Sequence, residues 1–396
     1  MKRTGKLLRA NQPTGSGRVV EYRLGRRRRL FQITTFCPNI IGPGPTNQYL
    51  IEDEALILVD TGIPTDVVKN FFYFWQNQPV PAHIEAMSDD YSEQELLSAI
   101  NLTGHDVRDI DFIVLTHGHF DHYLLGRKLV KMSGAKVAAH VLDSGLITNK
   151  WSLMKVWMER RPLYRAMGMP LPENHINSQN RPRTEDIDLS LCVDHAITSE
   201  GPLRIGDFRS DTISVCHSAG HSPGGISLLV KKEEGTDMLM LCGDTLLYPI
   251  TPHPDDLVAY LRALKKIKSL ENITLVLPAH GEVIEKLQER LAFLEMHHKL
   301  RLQLTYEVCK EPRSIWQIAT MPNYFDVPVD PAKFNPLAGH EALIHVELLQ
   351  LAGGLHTSHV DGKVHYFQNS GEAFADVESR IQHIIDDENT TILLRR

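Results

Sequence analysis

Thr116-His117-Gly118-His119-Phe120-Asp121-His122 follows directly on the apolar run Asp111–Leu115. Phe112, Ile113 and Val114 read as a short buried strand, and Gly118 lets the chain turn sharply behind it. Three imidazoles and a carboxylate thus crowd one strand-to-loop edge. Without a cation they are a costly set of desolvated titrating groups; around two adjacent cations they are a ligand set. Nitrogen and carboxylate donors without thiolate suit zinc, with iron or manganese as the competing metals. A histidine-rich surface turn would also account for these seven residues, but it predicts nothing about the rest of the chain.

The rest of the chain supplies more of the same chemistry at the same kind of place. His221 opens His-Ser-Pro-Gly-Gly before an apolar run, Asp244 follows the run Met238–Cys242 in Gly-Asp-Thr, and His280 ends Leu277-Pro-Ala-His. Asp60 closes Leu58-Val59-Asp60-Thr61-Gly62. Each stands where a strand gives way to a loop, with Gly or Pro close by to turn the backbone. One such residue is ordinarily a cap or a satisfied polar group. Five edges carrying His or Asp are a constellation, and strand edges are where α/β folds gather their chemistry.

This set resembles the metallo-β-lactamase superfamily, over about residues 30–285. His117, His119, Asp121 and His122 match its His-x-His-x-Asp-His motif in full. The resemblance implies an α/β fold, the four-layer αββα sandwich. It also implies two metal ions, taken as Zn(2+) with Fe or Mn as substitutes. One would be held by His117, His119 and His221 and the other by Asp121, His122 and His280, with Asp244 bridging and Asp60 orienting a ligand histidine from behind. Position 119 is His rather than Glu, which departs from the flavodiiron branch. No long nuclease-type insertion follows Asp244, which departs from the RNA-processing branch.

Two divalent cations about 3.5–4 Å apart can share a bridging hydroxide formed near neutral pH. The implied enzyme is a hydrolase attacking a carboxylic thioester or ester with that hydroxide, in the manner of glyoxalase II-like members, with Asp121 orienting the nucleophile. Tyr248, four residues past Asp244, is a candidate donor to the developing oxyanion, and equally a packing residue. Many thioesterases and lactonases of the superfamily continue the motif as Asp-His-x-Gly-Gly, whereas here it reads Asp121-His122-Tyr123-Leu124-Leu125-Gly126. These bulky groups, with the Met/Trp/Leu-rich segment 142–170, predict an apolar pocket for a fatty-acyl or polyketide-like substrate; plain core is the competing reading. An endoribonuclease, a lactonase on an apolar lactone and a non-catalytic ligand sensor are the alternatives.

Composition narrows these readings. The chain has 396 residues, 20 His and 5 Cys, and a formal net charge of −7. Cys37, Cys192, Cys216, Cys242 and Cys309 form no CxxC pair, which excludes a disulfide framework and a thiolate zinc ribbon. There is no run of 18 apolar residues for a membrane span and no signal-like N-terminus, so a cytoplasmic location is expected. Residues 1–29 hold ten Lys/Arg, including Arg26 to Arg29, against the single acid Glu21. They read as a basic, solvated arm.

After residue 285 the pattern changes to helices from Leu287 through Tyr306, Ser314–Thr320 and Gly339–Leu351, then a hairpin turning at Asp361-Gly362. Helix, helix, helix, hairpin is the order of a winged-helix module, and it resembles the tail of lactamase-like proteins of the type called β-lactamase-like protein 2. The expected domains are the arm 1–29, the catalytic domain 30–285 with a helical insert at about 142–185, a mostly helical winged-helix-like domain 286–370, and an amphipathic helix and tail 371–396. From Glu295 to Arg396 nine Lys/Arg face fourteen Asp/Glu. Nucleic-acid binding through this module is therefore not expected. Packing or a homodimer through the C-terminal region is.

Overall fold

A computed structural model describes residues 5–39, 42–75, 79–149, 160–171, 189–369 and 371–387. Eight strands form the first sheet in sequence order: β1 (Lys6–Arg9), β2 (Val19–Arg23), β3 (Arg29–Thr35), β4 (Thr46–Glu52), β5 (Leu56–Val59), β6 (Phe112–Val114), β7 (Lys136–His140) and β8 (His195–Ile197). β1 to β5 pair antiparallel, and β5 to β8 pair parallel. The second sheet runs β13 (Ile273–Leu277), β12 (Met238–Leu241), β11 (Ile226–Lys231), β10 (Phe208–His217), β9 (Gly201–Ile205).

Alternation along each strand stacks the layers. Ile57 and Val59 face the inter-sheet core with Leu228, Leu239 and Leu275, while Leu56 and Leu58 face the opposite side with Val68, Leu96 and Ile100. The helices Thr65–Trp75, Tyr91–Leu102 and Gly126–Ser133 cover that outer face. On the second sheet, Met240 and Val276 turn outward against Tyr260, Leu264 and Ile267 of the helix Leu257–Lys268. The order helix, sheet, sheet, helix is the αββα sandwich.

The basic arm is not an arm. Val19, Val20 and Tyr22 are buried, and β1 and β2 extend the first sheet. The arginine run forms the β2–β3 turn, where Arg28 makes paired 2.8 Å bonds to both Asp53 oxygens and Arg29 pairs with Glu52. Charge counted along residues 1–29 missed this because the neutralising acids lie on the next hairpin.

Helices Leu287–Val308, Ile315–Ala319 and Pro336–Leu351 are followed by strands β15 (Leu355–Val360) and β16 (Lys363–Gln368). Asp361 and Gly362 turn this hairpin at φ 50° and 72°, and β14 (Arg313–Ser314) joins it in a three-stranded sheet. The helix Phe374–Asp386 buries Val377 and Ile381, and Arg262 donates to its Ile384 carbonyl at 2.7 Å. Leu291, Leu294, Ile344 and Leu348 share one core with Met240 and Val276, so the C-terminal helices continue the outer layer of the second sheet.

Candidate metal centre

The cluster is built by loops leaving β5, β6, β12 and β13 and by the β10–β11 turn. His117 lies on the turn after β6, and His119 precedes the helical turn Phe120–Tyr123, which carries Asp121 and His122. His221, Asp244 and His280 arrive from the second sheet. All seven ligand-type side chains named from the sequence converge. His119 Nδ1 stands 3.0 Å from His117 Nε2 and 2.9 Å from His221 Nε2. His280 Nε2 is 3.2 Å from Asp121 Oδ2, and His122 Nε2 is 3.6 Å from Asp121 Oδ1. Asp244 Oδ2 lies between the two groups, 3.5 Å from His221 Nε2 and 3.7 Å from both His122 Nε2 and His280 Nε2.

Hydrogen bonds behind the rings decide which nitrogens carry protons. His221 Nδ1–H donates to the His253 carbonyl at 2.9 Å, and His280 Nδ1–H to the Gly44 and Pro45 carbonyls, each at 3.1 Å. Asp60 Oδ2 receives the Thr116 hydroxyl at 2.7 Å and His122 Nδ1–H at 3.0 Å. Since that hydroxyl has spent its one proton on Asp60, His117 Nδ1–H must donate to Thr116 Oγ1 at 3.0 Å. In neutral rings the opposite nitrogens are then lone pairs, and they face one another and two carboxylates.

That arrangement lacks protons enough to satisfy itself. A proton on His119 Nδ1 can serve only one of its two imidazole contacts. His122 Nε2, His280 Nε2 and Asp244 Oδ1 are buried and have no hydrogen-bond partner. A cation meets lone pairs and carboxylates alike. With metal–nitrogen bonds of about 2.0–2.1 Å, tetrahedral ligands stand roughly 3.4 Å apart, close to the spacings here. The donor set therefore fits metal binding. Electrostatics divide it into unlike halves. Burial, with neighbouring imidazoles, pushes His117 well below the usual histidine range and His221 down to about 4. Burial works against charge on His122 and His280 too, but Asp121 and Asp244 outweigh it and hold both above that range.

Asp60, at φ 59°, lies behind the His122 ring, and its Oδ1 also accepts the Thr116 N–H at 2.8 Å. A second buried carboxylate went unpredicted. Asp143, on the helix Val141–Thr148, accepts Gly118 N–H at 2.9 Å and the Ser222 hydroxyl at 2.7 Å on Oδ2, and Gly224 N–H at 2.7 Å on Oδ1. It clasps the His117–His119 turn to the His221 turn. Glycine is required at 224, where a Cβ would stand 2.7 Å from the carboxylate. Gly42 closes the other side: a Cβ there would lie 2.1 Å from Asp121 Oδ2.

Tyr248 is not among the converging groups. It is half exposed, with the Arg290 guanidinium 5.6 Å from its ring centroid, and its carbonyl receives Glu282 N–H at 2.7 Å. Tyr123, Leu124 and Leu125 do not line an apolar pocket. They are buried in the helix-covered core of the first sheet. Tyr164, Met167 and Met169 of the insert are likewise core, packed with Phe334 and Gly339 of the C-terminal region. Met154, Trp157 and Met158 lie outside the described residues. A further group, His297, His298 and Glu341, brings ligand-type atoms together, but a Glu341 oxygen is already taken by His253 Nδ1–H at 2.9 Å.

Residues 41–280 match the sequence pattern of the metallo-beta-lactamase superfamily. The chain belongs to the metallo-beta-lactamase superfamily. Members of the metallo-beta-lactamase superfamily typically bind metal ions, in keeping with the His/Asp cluster. The chain is similar to the "Probable metallo-hydrolase YqjP" of Bacillus subtilis, at 24% identity over 84% of this chain and 95% of that one. A shorter stretch, 20% of this chain and 24% of the other, is 34% identical to the "Atrochrysone carboxyl ACP thioesterase" of Aspergillus fumigatus. The crystal structure of the metallo-beta-lactamase family protein TTHA1429 from Thermus thermophilus shares the fold. Its TM-score is 0.64 at 20% identity, over 86% of this chain and 98% of that one. Among the described residues, no helix is long and apolar enough to cross a membrane.

Proposed function

We propose that this chain is a binuclear, zinc-dependent hydrolase of carboxylic thioesters or esters. The observation that carries the reading is the position of Asp244 Oδ2 between two groups of imidazole nitrogens, two of which, His122 Nε2 and His280 Nε2, are buried without a hydrogen-bond partner. His117, His119 and His221 would hold one ion, and Asp121, His122 and His280 the other, with Asp244 shared. Bound zinc supplies a water of lowered pKa and a Lewis acid for a carbonyl oxygen. The chain's part is to orient the imidazoles through Thr116, Asp60 and the carbonyls of residues 44, 45 and 253, and to keep the Asp121 and Asp244 carboxylates ionised. Asp121, wedged against Gly42, would accept a hydrogen bond from a water and so orient it. The partial likeness to an acyl-carrier-protein thioesterase supports an acyl thioester over other carbonyl substrates.

Internal pairing of Arg28 and Arg29 leaves less free charge for RNA and weighs against the ribonuclease reading. The C-terminal helices and hairpin are read as a winged-helix-like packing module. The reading is tested by stripping metal with a chelator and assaying a panel of acyl thioesters, lactones and single-stranded RNA. Thioester hydrolysis should fall to background and return with zinc. Hydrolysis that survives complete metal removal would end the proposal.

A further inference from the structure

The loop His253–Asp256 joins the metal cluster to the C-terminal helices. On one side it is locked to the His221 turn. Asp255 N–H and Asp256 N–H both donate to the Gly220 carbonyl, at 2.7 and 3.0 Å, and the His253 carbonyl takes His221 Nδ1–H. Gly220, at φ +127°, packs so closely that a Cβ would stand 2.3 Å from the Tyr260 Cα. On the other side, His253 Nδ1–H donates to Glu341 Oε2 at 2.9 Å. Glu341 is 7% exposed and belongs to the helix Pro336–Leu351. The same helix is braced behind: His345 Nδ1–H returns to the Glu341 carbonyl at 2.7 Å, and His298 Nδ1–H of the helix Leu287–Val308 reaches His345 Nε2 at 3.1 Å.

From this chain of contacts we propose that Glu341 is a positioning residue for the three-histidine metal site. It holds His253, whose carbonyl sets the tautomer and ring orientation of His221. The inference rests on the metal reading above and deepens it. A carbonyl can orient a ligand imidazole only if its own backbone is held. The Gly220 carbonyl belongs to the turn being oriented, so it cannot fix that turn relative to the rest of the molecule. Asp256 caps the helix that follows, accepting Ala259 N–H at 2.9 Å, and His340 Nε2 stands 3.9 Å from Asp255 Oδ1. Glu341 bonds His253 itself, from a separate, buried helix. The C-terminal region is thus part of the metal centre's framework, not an appendage to it.

Partners that orient metal-bound histidines typically change affinity by 10–100-fold when removed. Zinc itself is the probe, with stoichiometry from metal analysis and affinity from competition with a chromophoric chelator on the full-length protein. Wild type should bind two ions. Glu341→Ala and His253→Ala should weaken one of the two by about 10–100-fold and spare the other. Glu341→Gln keeps an acceptor and His253→Asn keeps a donor in place of Nδ1–H, so both should bind zinc nearly as wild type does. Leu348→Ala, which removes core packing from the same helix without touching Glu341 or His253, should lower the melting temperature and leave zinc affinity unchanged. Two ions bound at wild-type affinity in both alanine variants would overturn the inference. So would an equal loss in Leu348→Ala, which would mark a general effect of destabilisation. A wild-type protein that binds no zinc would overturn the metal reading itself, a result distinct from either.

Discussion

Asp143 offers a test of how the cluster is held. Among the described residues its carboxylate has three donors and no cation: Gly118 N–H and the Ser222 hydroxyl on Oδ2, and Gly224 N–H on Oδ1. Asp143→Ala strands them all. The hydroxyl can rotate, but the two backbone N–H groups cannot turn without moving the loops that carry His117, His119 and His221. A buried donor left without a partner costs about 1–3 kcal/mol, so the two together cost roughly 2–6 kcal/mol. Set against a typical stability of about 5–15 kcal/mol, that is a large loss. Asp143→Asn keeps one oxygen. Turned toward Gly118 and Ser222, it leaves only the amide NH2 opposed to Gly224 N–H, a cost of about 1–3 kcal/mol. The expected order of stability is therefore wild type, Asn, Ala.

Urea denaturation of the metal-free proteins, followed by far-ultraviolet circular dichroism, reads that order. Zinc competition reads its functional counterpart, a loss of about 10–100-fold at the three-histidine group when its two loops come apart. An alanine variant within about 1 kcal/mol of wild type, well below the cost of two stranded donors, would refute the reasoning. An asparagine variant less stable than alanine would do the same.

Two other perturbations follow from the packing. Gly42→Ala places a methyl 2.1 Å from Asp121 Oδ2, so the carboxylate must move. Zinc titration should show weaker binding at the Asp121–His122–His280 group, and unchanged binding would contradict the close approach. Removing residues 1–28 deletes β1 and β2 and uncovers the β3 edge, with Phe31 and Ile33 in the core beside it. Expression should yield insoluble or strongly destabilised protein; a soluble, stable truncation would restore the solvated arm.

The converging side chains were legible because each carries a local signature, a His or Asp beside a glycine or proline at the end of an apolar run. The β-lactamase-like core was legible for the same reason. The supporting groups were not. Asp143 lies 21 residues beyond His122, and 79 and 81 residues before Ser222 and Gly224, and no periodicity marks it. Neighbourhood in sequence also misled. Tyr123 and Leu124 adjoin the His/Asp motif, yet a single helical turn directs Asp121 and His122 toward the cluster and sends Tyr123 and Leu124 into the core. The arginines of the β2–β3 turn misled in the opposite way, since their partners are on a different hairpin.

What stays hidden longest is the part played by backbone. His221 and His280 are oriented by carbonyls of residues 253, 44 and 45, and every residue has a carbonyl. Side-chain identity at those positions is therefore uninformative about this role, whereas Asp60, which orients His122, could be found because a carboxylate is chemically distinct. The rings should consequently differ in what breaks their orientation. His122 depends on Asp60 directly, and His117 depends on it through Thr116, so a single side chain stands behind both. His221 depends on the path of the loop at residue 253, so the residues that govern it are those that fix the loop. Glu341, 88 residues from His253 along the chain, bonds that residue directly from the C-terminal helices, with His340 beside it 3.9 Å from Asp255.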